Sequence, residues 1–358
     1  MKIAIIGAGP AGLSLARYLV DHGFEKEVQV FEAQKDLAIK PCGWGLPDIS
    51  RDNEIADIMK IALKHVLWEY SGYRVFLDGE LLFENKSRRV LGYIIDKREF
   101  LKSLSEGVEL ELNSAAKYLE RGKVLIRNKE VAKYDIVVNA GGFYSQKTSI
   151  EKIPAIQYHI ENKFSEPEIP ELYFNSHLVG YAWFFPESGK RARIGIGGYA
   201  SLKDLENILR EIILSREELR KASLIKREGA MVTVGGIVEK LAKERDPYHI
   251  GEALGAVMPA TGEGIRPSIY TALALYRSIK YGIDYFNELR KIYLYRAIML
   301  QRKILDLEII TSPSDRKRFL MKTPEDLLIK ISLGYVSKTD LLKLSIRPET
   351  LKLLLNLL

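Results

Sequence analysis

The sequence predicts an α/β protein: a discontinuous, Rossmann-like dinucleotide-binding domain, an antiparallel-sheet substrate domain inserted into it, and a helical C-terminus. Three observations predict this. The chain opens on a buried apolar strand that runs into Gly7-Ala8-Gly9-Pro10-Ala11-Gly12 and a helix-like segment from Leu13 to Val20, the strand–turn–helix order of a dinucleotide site. A second apolar run, Tyr134 to Ala140, ends in Gly141-Gly142, as suits a parallel strand covered on both faces. From 155 to 199 the pattern changes to alternating, aromatic-rich strands, which suits an antiparallel sheet.

In the opening motif, Gly7 allows the tight turn, Gly9 lets the backbone approach a pyrophosphate, and Gly12 permits close helix–strand packing. Pro10 and Ala11 begin the helix whose amides and positive dipole end face the phosphates. A strand at Glu27 to Phe31 ends at Glu32, about twenty residues beyond Gly12, where an acid binds ribose hydroxyls. Ala33 follows it as a further candidate contact. The alternative is a glycine turn in some other α/β protein.

The elements that follow can be taken in order. Lys40 to Pro47 is too rich in Gly and Pro for a helix. Residues 54–67 read as helical, and Tyr73 to Phe83 as a hairpin turning at Asp78-Gly79. Leu91 to Ile95 is a strand, Lys97 to Leu104 a helix, and 108–112 and 123–126 are short strands. After the aromatic strands come a helix over 201–214 and a further segment to about 240. A strand at 248–250 leads into Gly251-Glu252-Ala253-Leu254-Gly255 and then Pro259 to Ile265, which opens a long helix over 266–281. Helices fill the remainder. The expected division is 1–70, 97–150 and 245–285 for the nucleotide domain, 71–96 and 151–244 for the inserted sheet, and 286–358 for the helical region.

Composition narrows the function classes. The 358 residues suffice for about two domains, and 47% of them are hydrophobic. A single cysteine, Cys42, excludes an intramolecular disulfide and any zinc or iron–sulfur site built from several thiolates, and the expected location is intracellular and cytoplasmic. The five histidines show no metal spacing, and no Ser/His/Asp set is evident. No stretch approaches the ~20 apolar residues of a membrane span. The apolar start is needed as a strand and does not read as a signal peptide. A net charge of +7 permits contact with a polyanionic cofactor or anionic lipid. Its basic residues are scattered among acids, which argues against nucleic acid. Abundant Lys, Glu, Ile and Leu with little Gln is a thermophile-like composition.

Four motifs stand in order over roughly residues 1–300: the glycine turn, Pro41-Cys42-Gly43, Gly180-Tyr181-Ala182-Trp183-Phe184-Phe185-Pro186, and the 251–265 glycine segment. Together they resemble the flavin-dependent geranylgeranyl reductase family, often archaeal, within the group sharing the p-hydroxybenzoate hydroxylase fold. The resemblance implies FAD as cofactor and the prenyl double bonds of lipids or quinones as substrate, with an external donor such as ferredoxin or NAD(P)H. It further implies cofactor contacts from Gly43, Arg98, Gly251, Glu252, Pro259, Gly262, Gly264 and Ile265. The helix opened by the 262–265 loop can stabilise an anionic reduced flavin through its dipole, or the loop is an ordinary helix cap.

Three positions depart from the family pattern. Gly141 stands where relatives of this fold carry an Asp, which weighs against direct reduction by a nicotinamide. Glu252 is one methylene longer than the usual Asp. Lys97 replaces an Arg and loses its planar fork; Arg98 is the candidate substitute, or both are surface charges.

Cys42 is the candidate catalytic residue. A free thiol, with pKa about 8.5, is protonated at neutral pH, so it could donate a proton to one alkene carbon while the flavin supplies hydride to the other. The alternative is a small apolar residue packing a loop. Tyr181, Trp183 and Phe185 share one strand face, with Pro186 ending the strand; they either wall an apolar tunnel for a prenyl chain or fill a sheet core. The competing functions are an FAD monooxygenase acting on an aromatic or quinone, and a flavin-binding paralogue without turnover. A lipid substrate implies peripheral membrane contact, with the apolar tail (Leu351, Leu353 to Leu355, Leu357, Leu358) as candidate.

Overall fold

The computed structural model describes residues 1–48, 52–145, 149–164 and 169–342. Its nucleotide-type sheet has five parallel strands in the order Tyr248–His249, Ile136–Asn139, Ile3–Ile6, Val28–Phe31 and Glu109–Glu111. Ile3–Ile6 is buried along its whole length, as a central strand covered on both faces should be. The chain moves outward from it in one direction through Val28–Phe31, then returns to its other side at Ile136–Asn139. The strand order therefore reverses beside Ile3–Ile6, and the crevice at the carboxyl ends of these two strands is where such sheets bind ligands.

The glycine turn leads into the helix Pro10–Leu19, with Pro10 at its first position and no side-chain cap on its amides. That helix packs with Ile265–Tyr281 against the sheet, in a core that includes Leu13, Leu15, Ile269 and Leu273. The helix Ile265–Tyr281 ends at Gly282 in the left-handed conformation.

A second, seven-stranded sheet runs Ser223–Thr233, Lys152–Glu161, Arg191–Gly198, Gly180–Ser188, Glu171–Phe174, Gly72–Leu77 and Glu80–Lys86. One face buries Ile156, Ile160, Phe184 and Ile194 against the helix Leu202–Ser215. The alternation of Gly180–Ser188 turns Ala182 and Phe184 into that core and Tyr181, Trp183 and Phe185 to the opposite side.

The expected helix over 54–67 is shorter than its apolar spacing suggests. It spans Ala56–Leu63, and Val66–Tyr70 is a strand paired with Gly92–Ile95. Val66-Leu67-Trp68-Glu69-Tyr70 carries the branched and aromatic residues that suit a pleated surface, and its partner strand overrides the helical spacing. Gly92–Ile95 thereby joins a small sheet with Gly45–Pro47, while the hairpin that precedes it joins the seven-stranded sheet. Two unexpected strands, Ala116–Tyr118 and Glu130–Lys133, flank Lys123–Ile126, with Arg127 and Asn128 at positive φ in the turn. Helices Tyr285–Lys291, Tyr293–Ile310, Pro313–Lys322 and Glu325–Leu333 follow. The tail from Leu351 to Leu358 lies outside the described residues.

Candidate active site

The carboxyl ends of Ile3–Ile6 and Ile136–Asn139 open into a cavity of about 2150 Å³, well above the ~300–1,000 Å³ of a small-ligand pocket. Gly7 sits at φ +106, and a Cβ on it would lie 2.5 Å from the Ala140 carbonyl oxygen, so only glycine fits this turn. A Cβ on Gly9 would meet nothing within 4 Å, and Gly9 lines the cavity. The space in front of its backbone is a cradle that any side chain would begin to fill. Glu32 lies at the edge of that space, its two carboxylate oxygens accepting from the Ala8 and Gln34 amides at 2.9 Å each. This is the donor and acceptor set that a pyrophosphate and ribose require.

The other end of the cavity is framed by the loop from Val257 to Gly264 and the start of the helix Ile265–Tyr281, whose N-cap Gly264 offers no side chain and whose Arg266 amide donates to Glu263 at 3.4 Å. Between the two ends stands a polar group. Glu252 pairs with Lys40 and accepts from the Thr233 hydroxyl at 3.1 Å. Lys97, buried at 6% exposure, donates to the Lys40 carbonyl at 3.3 Å. The reading of Lys97 as a surface charge is therefore corrected. It falls on the same helix face as Phe100, Leu101 and Leu104, a spacing visible in the sequence that marks the inward side. Arg98 instead pairs with Asp36 at half exposure. At Gly141 a Cβ would lie 2.9 Å from that of Ser145, whose hydroxyl donates to Asn139 at 2.6 Å. The Asn139–Ser145 pair thus fills the place of the missing acidic side chain.

Cys42 lies in the loop that crosses the seven-stranded sheet and lines the cavity. Its carbonyl accepts from Arg193 Nη1 at 2.7 Å and from Gln157 Nε2 at 3.3 Å. Glycine at 43 leaves room for Phe185, whose ring would lie 3.1 Å from a Cβ there. Trp183 sits across from Gly195, which has no side chain to obstruct the indole, and donates to Gln157 at 3.3 Å. Tyr181 donates to the Thr261 carbonyl at 2.5 Å, joining the aromatic face to the 257–264 loop; burial pushes its phenol up, and Glu263 adds to that. Glu228 lines the same side. Burial pushes its carboxyl up, but Lys226 and His159 outweigh that and hold it below the usual range.

The far wall comes from the C-terminal helices, through Ile304, Glu308, Leu328 and Leu333 among others. Burial pushes Glu308 up to about 7 against the opposing charge of Arg316. Among the sequence candidates, Gly7, Gly9, Pro10, Ala11, Glu32, Ala33, Cys42, Gly43, Tyr181, Trp183, Phe185, Glu252, Pro259, Gly262, Gly264 and Ile265 line this one cavity. Gly12 and Gly251 lie behind the lining, where a Cβ would strike the Gly7 carbonyl at 2.0 Å and Ala11 at 2.5 Å respectively. The expectation for Pro186 is corrected on two counts: its strand runs on to Ser188, and the residue is turned to the helix-covered side of the sheet, away from the cavity. Arg193 and Gln157 escaped the sequence reading. The register that sets Arg193 opposite Phe185 follows from the Ser188-Gly189-Lys190 turn and was the available signal.

Residues 1–167 match the family model described as pyridine nucleotide-disulphide oxidoreductase, and residues 151–232 match the geranylgeranyl reductase catalytic domain. A digeranylgeranylglycerophospholipid reductase of Thermoplasma volcanium is 26% identical over 311 residues, 76% of each chain. A geranylgeranyl diphosphate reductase of Synechocystis is 26% identical over 318 residues, covering 74% of this chain and 72% of that one. The crystal structure of a geranylgeranyl bacteriochlorophyll reductase-like protein from Thermoplasma acidophilum superposes with a TM-score of 0.78 at 23% identity, covering 100% of this chain and 99% of that one.

Proposed function

Because residues 151–232 match the geranylgeranyl reductase catalytic domain and reductases of that kind align over about three quarters of the chain, we propose that it is an FAD-dependent oxidoreductase that saturates isolated double bonds in the prenyl chains of a lipid or quinone. The observation that carries this reading is one continuous cavity bearing the glycine cradle at Gly9, the 257–264 loop, the Cys42 loop and the Tyr181–Trp183–Phe185 face. FAD, when bound, supplies the hydride. Gly9 and the uncapped start of Pro10–Leu19 receive the pyrophosphate, and Glu32 the ribose. Lys97, Lys40 and Glu252 would flank the middle of a bound cofactor, and the 257–264 loop with the dipole of Ile265–Tyr281 would face its reactive end.

The aromatic face lays the prenyl chain against that end and excludes water, since a polyisoprenoid has nothing to hydrogen-bond along its length. Cys42 holds the proton delivered to the second alkene carbon. In this reading 1–70, 97–150 and 245–285 carry the cofactor, 71–96 and 151–244 carry the substrate wall, and the described helices of the 286–358 region close over both. Electrons come from an external donor, ferredoxin or NAD(P)H; Gly141 disfavours the nicotinamide, and anaerobic bleaching of the flavin by NADPH alone would reverse that preference. The substrate is met at a membrane surface by peripheral contact from the cytoplasmic side, as co-sedimentation with lipid vesicles tests. No helix of the described residues is long and apolar enough to cross a membrane.

The reaction itself is tested by reducing the flavin-loaded protein anaerobically with dithionite and offering geranylgeranyl lipids. Two added hydrogens per double bond by mass spectrometry is the expected result. Unchanged lipid, with oxygen uptake on aromatic substrates, would overturn it.

A further inference from the structure

Trp44 has φ +62, a left-handed conformation that a bulky aromatic residue rarely adopts. Such a residue persists only where its surroundings over-determine it. Here the surroundings converge on Arg193, which is 3% exposed. Its guanidinium carbon stacks 3.5 Å from the centre of the Trp44 ring. The same guanidinium donates through Nη1 to the Cys42 carbonyl at 2.7 Å, and Glu187 accepts from its Nε. One planar group thus holds the residues on both sides of Gly43. Gln157, 4% exposed, adds a second donor to the Cys42 carbonyl, and its own carbonyl is fixed by Trp183. On the far side of the loop, the Ile95 amide donates to the Trp44 carbonyl at 3.2 Å.

We propose that Arg193 is the positioning residue for Cys42, holding the Pro41–Gly45 loop in a backbone conformation that fixes the direction of the only thiol in the chain. The proposal rests on the reading of Cys42 as an active-site residue. Two donors on one carbonyl fix the peptide plane after Cys42, and with it the path of the Cys42 side chain relative to the cavity. Trp183 belongs to the prenyl wall and bonds Gln157, so the wall and the thiol are set by one network. A lysine at 193 would keep a charge beside Glu187 but could neither stack on Trp44 nor reach both partners with a planar fork.

Because Cys42 is the sole cysteine, alkylation of the flavin-loaded protein by iodoacetamide reports on it alone and needs no prenyl substrate. Arg193→Met should be alkylated about tenfold faster than the parent, the scale of losing one charge-assisted hydrogen bond, with flavin content retained. Its kcat for prenyl reduction should fall while KM stays near the parent value. Arg193→Lys should remain close to Arg193→Met. A parent-like alkylation rate in folded Arg193→Met overturns the proposal. So does full rescue by lysine, which would mean that Arg193 only neutralises Glu187. If Arg193→Met does not fold, Gln157→Leu decides, with about threefold faster alkylation expected from loss of one neutral hydrogen bond and a parent-like rate overturning. Faster alkylation in a protein that reduces no prenyl lipid would leave the positioning intact and remove the functional reading instead.

Discussion

Two side chains in the cavity carry sharp predictions of their own. Replacing Cys42 by alanine should lower kcat about a hundredfold or more, the usual contribution of a positioned acid, with KM and flavin content unchanged; an unaltered kcat would return Cys42 to loop packing. Glu308 makes a prediction in pH. Its folded pKa of about 7 lies above the ordinary 4.5, so below pH 4.5 it is neutral in both states and costs no stability. Above that, the unfolded chain ionises freely while the folded protein must hold a proton or charge a half-buried carboxyl, and stability is lost until pH passes about 7. Glu308→Gln should therefore melt close to the parent near pH 4.5 and above it near pH 8, as thermal melts at both values will check. Positions set by local spacing were legible in the sequence: Gly7, Glu32 and Cys42 each stand in or beside a turn or loop, and all three line the cavity. Lys97 and Arg193 were missed although helix spacing and hairpin register carried a signal for each; Gln157 carried none, because its inward direction is set by which face the tertiary packing covers.

Among the elements, the helix Ile265–Tyr281 is tied to its neighbours by a buried ionic junction. Arg266 and Asp52 are almost fully enclosed, and the guanidinium reaches Asp52 at 3.3 Å and Glu263 at 2.7 and 2.8 Å. Asp52 also accepts from Tyr270, Tyr293 and Tyr335. Removing one partner leaves uncompensated charge in the interior, so Arg266→Met should lose about 3–5 kcal/mol in denaturant unfolding. Tyr335→Phe, which removes a single hydroxyl from the set, should lose about 1 kcal/mol. The long helix was legible from its apolar run and the glycine loop before it. The strand Val66–Tyr70 was not, because its apolar residues continue the helical spacing before it until pairing with Gly92–Ile95 overrides it; nor were the two strands flanking Lys123–Ile126, whose apolar residues are few and whose conformation their neighbours decide. The Pro41–Gly45 loop belongs to the same class, since its shape depends on a strand 151 residues away in the chain (Cys42 to Arg193).

For the whole molecule, cofactor and fold should be thermodynamically linked. The site draws on the first helix, the Glu252 region and the helix Ile265–Tyr281, so FAD binds the assembled fold and not the unfolded chain. At a hundredfold excess over its dissociation constant it should stabilise by about 2.7 kcal/mol, visible as a higher melting temperature of flavin-loaded over stripped protein at matched concentration; equal melting temperatures would separate cofactor from folding. The α/β class, the interruption of the nucleotide sheet and the helical end were all legible, because each rests on a long periodic segment. What periodicity does not carry is closure: that Leu328, Leu333 and Tyr335 come back to line the same cavity as Trp183. This closure has a consequence for biosynthesis. The aromatic wall leaves the ribosome well before the helices that cover it, and at roughly ten residues per second it stands uncovered for about fifteen seconds. The nascent chain over that interval exposes the sticky surface that chaperones hold, so expression yield in a chaperone-depleted cell should be limited by the last helices, not by the glycine turn that begins the chain.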